Sequence, residues 1–249
     1  MKRGRDNRGM MQRLLIATGN SGKVKEIRHE FEVAAAGAHD AWLAALDIIG
    51  LKDLPKLPEC IEDEETFEGN ARKKARHYAG LSGLLTLADD SGLCVEALGG
   101  APGVYSARYA GVSGAGADAA NNAKLLAAME RVAEGRRGAK FVCAMALAAP
   151  AGSSRLSVLC ADEVPSTGED TLKRELRTLA VMTDEVHGVL LRAPRGENGF
   201  GYDPLFYFPE FGKTTAELDM ATKGQISHRG KALRKMLAWM REHTRELRK

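Results

Sequence analysis

Asp89 and Asp90 stand side by side between an apolar run, Leu84, Leu85 and Leu87, and the pair Ser91-Gly92. Adjacent residues of an extended chain point to opposite faces, so a strand here can offer one carboxylate to a cleft and turn the other inward. An uncompensated buried carboxylate is costly, which makes a cation the natural partner. Hard oxygen ligands suit Mg2+. The run reads as a buried strand that stops on a charged tip. The plainer alternative is an Asx-type turn with Ser91 and Gly92.

Four further groups carry chemistry. Thr18-Gly19-Asn20-Ser21-Gly22-Lys23 lies between a short apolar strand, Leu14–Ala17, and a helix with apolar positions Val24, Ile27 and Phe31. A strand, glycine-rich turn and helix in that order aim backbone N–H groups and a positive dipole end at an anion. The spacing is not that of a Walker A loop; the alternative is an ordinary turn with Asn20 or Ser21 as N-cap. Asn70 and Lys74 are four apart on a helix expected over Phe67–Ala79 behind the N-cap Thr66, so they share a face. Lys74 could hold a phosphate beside a metal, or simply pair with a surface carboxylate. The block from Pro194 to Phe206 sets glycines around Phe200, with Tyr202 and Asp203 following. Such a loop can close on a flat ligand by stacking and edge recognition, or can be a bulge with Phe200 in the core. Lys223, His228 and Arg229 surround Ser227, an N-cap for the last helix; His228 is a candidate donor or a structural histidine.

The elements that position these groups belong to an α/β chain. Ala41 to Ile49 is expected as a helix, Ala119 to Ala133 as another, and Phe141 to Ala148 as a buried strand. Arg155–Cys160 is expected to pair with that strand as a hairpin, and Val186–Leu191 as a further strand. Residues 1–12 read as a disordered basic tail. The chain has 249 residues with a formal charge of +3, too small for a bulk nucleic-acid binder. No apolar run reaches the roughly 18 residues of a membrane span. The four cysteines lack CxxC spacing, which argues against a zinc site or a disulfide framework and for a reducing cytoplasm.

A phosphate turn, a carboxylate pair, a lysine on a nearby helix, a stacking ring and a donor cluster together describe a Mg2+-dependent enzyme acting on a nucleoside triphosphate. The chain also resembles a known family. Ala17-Thr18-Gly19-Asn20 with Lys23 and Glu26, Thr66–Ala71 with Lys74-Ala75, Ala88–Leu93, Leu98–Arg108, Gly199–Pro204 and Ser227–Gly230 resemble, in order, motifs of the inosine triphosphate pyrophosphatase family. The resemblance implies an α/β fold with an elongated mixed β-sheet flanked by helices, two lobes with the nucleotide cleft between them, and 13–245 as one catalytic domain with a surface insertion at 161–180. It implies cleavage of ITP, dITP and XTP to the monophosphate and pyrophosphate by a homodimer that uses Mg2+. It implies Asp90 as general base and Glu62, Asp89 and Asp90 as metal ligands. Glu59, Glu64 and Glu65 stay open as alternatives to Glu62, because Ile61–Glu65 departs from the family pattern. It further implies that Thr18, Gly19, Asn20, Ser21, Gly22, Lys23, Lys74 and Ser91 hold the phosphates. Phe200, Gly201, Tyr202, Asp203, Lys223, His228 and Arg229 would line the base pocket. Two rival readings are a Maf-like pyrophosphatase of other specificity, opposed by the Gly-Phe-Gly-Tyr-Asp-Pro and Ser-His-Arg motifs, and a non-catalytic nucleotide- or RNA-binding module, opposed by the intact carboxylates.

Overall fold

The computed structural model describes residues 12–38, 41–150 and 177–247. Among these, the strands form one mixed seven-stranded sheet in the order β2-β1-β3-β4-β5-β6-β7. Three strands run parallel at one end: β1 (Arg13–Ile16), β2 (Asp47–Gly50) and β3 (Leu85–Val95). β4 (Gly138–Ala149), β5 (Arg177–Leu190), β6 (Phe206–Phe208) and β7 (Lys213–Thr214) continue antiparallel.

Helices cover both faces of the parallel end. On one side α1 (Ser21–Ala38) and α6 (His228–Glu242) bury Ile27, Phe31, Leu233 and Met236 against Leu85, Leu87 and Met145. On the other, α3 (Phe67–Ser82) lays Ala71, Ala75 and Ala79 on Ala88, Ala144 and Ala146. Alanines on both partners let helix and sheet approach closely. α3 starts where Thr66 Oγ1 accepts the Gly69 N–H at 3.0 Å, the N-cap expected from sequence. A third core lies beyond the carboxylates, where Leu93, Val95, Phe141 and Phe206 pack with Leu125 and Met129 around α4 (Ala117–Ala128). The chain between Gly224 and Gly230 turns at Ser227, which ends α5 (Met220–Ile226) and caps α6 by accepting the Gly230 N–H.

Three expectations change. β3 does not stop at Asp89: it runs through both carboxylates to Val95, because β4 pairs with it along that length, Asp89 opposite Met145 and Asp90 opposite Ala144. The expected helix over Ala41–Ile49 is a single turn, α2 (Ala41–Ala44), followed by β2, since Asp47–Gly50 find an open edge on β1. Residues 177–180, assigned to the insertion, open β5, which reaches Leu190 and thereby absorbs the expected strand at Val186–Leu191. Arg155–Cys160 and the rest of the insertion lie outside the described residues, as does most of the basic tail. Among the described residues no helix is long and apolar enough to cross a membrane, and Cys60, Cys94 and Cys143 are free thiols.

Candidate active site

Because side chains alternate along β3, Asp89 faces the α1/α6 layer and Asp90 faces α3. The two surroundings differ in kind. Lys23 Nζ of α1 lies 2.8 Å from Asp89 Oδ1, and Arg229 Nε of α6 lies 3.2 Å from Oδ2. Ser91 Oγ donates to the same Oδ2 at 3.0 Å and accepts from Arg229 at 2.8 Å. Burial alone would push the Asp89 carboxyl up. Lys23, Arg229 and Lys74 outweigh it and hold the group far below the usual carboxylate range.

Asp90 has no comparable clamp. Its Oδ1 accepts the Ser91 N–H at 3.1 Å, while its buried Oδ2 has no hydrogen-bond partner. Burial raises its pKa to about 6; Lys74 and Lys23 oppose this, and Glu62 and Asp89 reinforce it. Lys74 is itself buried on α3. Its Nζ meets Glu62 at 2.7 Å and donates to the Asp89 carbonyl at 3.1 Å. Burial works against the ammonium, but Glu62, Asp90 and Asp89 together raise its pKa.

In the turn Thr18–Lys23, Asn20 is the N-cap of α1. Its Oδ1 accepts the N–H groups of Gly22 and Lys23 at 2.8 and 3.2 Å, and Thr18 Oγ1 accepts the Asn20 N–H at 3.2 Å. Those three amides are satisfied inside the turn, and Lys23 reaches Asp89. Gly22 is tight against the opposite wall, since an added Cβ would meet the Phe200 ring at 2.5 Å.

Six of the seven expected base residues, Phe200, Gly201, Tyr202, Asp203, His228 and Arg229, line one cavity, and Lys223 lines the adjoining cleft. Lys223 lies 4.9 Å and Arg229 5.5 Å from the Phe200 ring centre. Asp203 Oδ2 accepts the Phe200 N–H at 2.9 Å and pairs with Lys223 at 2.6 Å. Tyr202 donates its hydroxyl to the Ser106 carbonyl at 2.9 Å. His228 stacks on Phe141 with ring centres 4.8 Å apart. Burial, with Arg229 and Lys223 nearby, holds His228 well below its ordinary pKa and so neutral. A neutral ring carries one donor and one acceptor, and its Nδ1 is unpartnered. A wider cleft of about 1880 Å3 adjoins, lined by Gly19, Asn20, Ser21 and Gly22.

Among the described residues, no three His, Cys, Asp or Glu side chains gather to hold a metal ion. The expected triad of Glu62, Asp89 and Asp90 is divided by β3, and Asp89 is occupied by Lys23, Arg229 and Ser91. The orphaned Asp90 Oδ2 and the half-buried Glu62 do suit a cation that needs one or two carboxylates and takes its other ligands from a triphosphate. Of the four open glutamates, Glu62 is the one paired with buried Lys74.

A model of the Ham1 family matches residues 14–166 and 171–239. This chain belongs to the Ham1 family. The dITP/XTP pyrophosphatase of Geobacter sulfurreducens is 44% identical over 223 residues, 90% of this chain and 94% of that protein. That of Desulforamulus reducens is 43% identical over 225 residues, 90% and 94% respectively. Among solved structures, a HAM1 protein from Coxiella burnetii superposes with a TM-score of 0.68 at 35% identity, covering 93% of this chain and all of that one.

Three residues at the candidate site carry no role in the sequence reading. Glu26 divides its carboxylate between Lys223 (2.7 Å) and Arg229 (2.6 Å), tying the base wall to the Asp89 side. Burial opposes its charge, but Arg229 and Lys223 lower its pKa. Its place three residues after Lys23 on one helix face was a usable signal. Asp118 and Asn122, on α4, hold Gly201 from a distance of about eighty residues in sequence, and no local pattern marks them.

Proposed function

We propose that this protein hydrolyses dITP, ITP and XTP to the monophosphate and pyrophosphate, removing non-standard purine nucleotides from the triphosphate pool. The observation that carries the reading is Asp90: a buried carboxyl with one unpartnered oxygen and a pKa raised to about 6, beside a buried lysine that is shared with Glu62. A general base works best with a pKa close to the operating pH. Asp90 takes the proton of the attacking water. Asp89 keeps Lys23, Arg229 and Ser91 in place, so that Asp90 is the carboxylate left to react.

The turn Thr18–Lys23, with Lys74 and Ser91, receives the phosphates; the positive end of α1 favours them. Phe200 stacks on the purine between Gly201 and Tyr202, and Lys223, His228, Arg229 and Asp203 present polar groups to its edge. Donors aimed at a 6-keto oxygen leave adenine's amino group badly paired, which rejects ATP. Mg2+ fits Asp90 and Glu62; when bound it neutralises the triphosphate and acidifies water. The cysteine spacing adds a reducing cytoplasm, and the resemblance a homodimer, which light scattering checks.

Pyrophosphate release from ITP, XTP, ATP and GTP, with Mg2+ and with EDTA, tests the proposal in wild type and Asp90→Asn. Metal-dependent release from ITP or XTP, weak release from ATP and GTP, and loss in the variant are expected. No release from any of the four overturns it, and equal release from all four removes the selectivity.

A further inference from the structure

Phe200 and Asp118 stand on the partition between the two cavities, since both line each of them. What fixes Phe200 is its neighbour. Gly201 adopts φ +60°, a left-handed conformation that costs glycine little, and both of its backbone polar groups are held by α4. Asp118 Oδ2 accepts the Gly201 N–H at 2.8 Å, and Asn122 Nδ2 donates to the Gly201 carbonyl at 2.9 Å. Asp118 and Asn122 are one helical turn apart, so they reach the loop from the same face of α4. The Phe200 N–H is held within the loop by Asp203, while Tyr202 and Asp203 anchor the following residues to Ser106 and Lys223. At Gly201 itself the two bonds from α4 are what tie the backbone next to Phe200 to the rest of the chain.

We propose that Asp118 and Asn122 are positioning residues that set the Phe200 ring for the purine, and so determine affinity for the nucleobase while leaving phosphate chemistry alone. This rests on the proposed pyrophosphatase reading. Asp118 is exposed at the cavity wall, so its truncation tests position more than core stability. The carboxylate is needed only as an acceptor, so an amide oxygen at the same place serves as well.

The test is steady-state kinetics of ITP hydrolysis for wild type, Asp118→Ala, Asp118→Asn and Asn122→Ala, with melting temperatures alongside. Product inhibition by IMP and inhibition by inorganic tripolyphosphate are measured in parallel. Losing one such hydrogen bond is expected to raise KM for ITP and Ki for IMP about tenfold, with kcat and tripolyphosphate inhibition unchanged. Asp118→Asn restores wild-type values, because its amide oxygen accepts the Gly201 N–H. Should Asp118→Ala fold poorly, Asn122→Ala carries the same expectation. Unchanged KM in folded alanine variants of an active enzyme overturns this inference alone. So does a parallel loss of tripolyphosphate inhibition. A wild-type protein inactive on ITP overturns the functional reading instead.

Discussion

The two faces of β3 at Asp89 and Asp90 make opposite use of the same side chain. One carboxylate meets a lysine, an arginine and a hydroxyl, and its charge is fixed across the working pH range. The other, one residue on, meets a lysine already shared with Glu62 and keeps an oxygen free. Burial is common to both and raises both pKa values; the number of directed cations decides the outcome. On the proposed reading, the carboxylate that reacts is the one from which partners are withheld, while its neighbour takes the cations.

The most severe way to break this asymmetry is Asp90→Asn. Loss of a general base is expected to lower kcat by about 100- to 10,000-fold. Stability moves the other way. In the metal-free protein Asp90 binds its proton more tightly folded than unfolded, so stability falls as pH rises from 3.8 towards about 6 and stays reduced above. Removing that cost stabilises the variant at pH 7.5 in EDTA by up to about 3 kcal/mol, read by urea unfolding. Asp89→Ala does the reverse: it leaves Lys23 and Arg229 buried against an absent charge, and costs about 3–5 kcal/mol in the same measurement. The lowered pKa of Asp89 means that its contribution is complete above the unfolded value near 3.8 and is lost only in stronger acid.

Glu62→Gln sharpens the Asp90 side. It is expected to reduce kcat at least tenfold through loss of a phosphate-side carboxylate, while Glu59→Gln and Glu65→Gln leave kcat within about twofold. Smallest of all is Lys73→Ala. Lys73 pairs with Asp63 at the exposed end of the same acidic run, and its loss is expected to leave both kcat and the urea midpoint essentially unchanged.

Much of this was legible in the sequence, and the failures have physical causes. The buried strands and the Thr66 cap follow from apolar runs and local side-chain chemistry. The continuation of β3 does not, because Asp-Asp-Ser-Gly has turn chemistry and becomes a strand only through its pairing with β4. β2 is four residues long, too short for periodicity to separate it from a helix. The candidate residues were legible as types, but their pairing was not. That Asp89 and Asp90 face opposite sides follows from strand alternation, but the cations of Asp89 come from α1 and α6 at opposite ends of the chain, which no local pattern shows.

The asymmetry is tested most directly by 13C NMR titration of the aspartate carboxyl carbons in the metal-free protein, with signals assigned by their loss in Asp89→Asn and Asp90→Asn. The signal that disappears with Asp90 should titrate near pH 6, and the one that disappears with Asp89 should stay ionised throughout the folded range. Two signals that both titrate near the ordinary value of about 4, or that exchange these behaviours, would contradict the account.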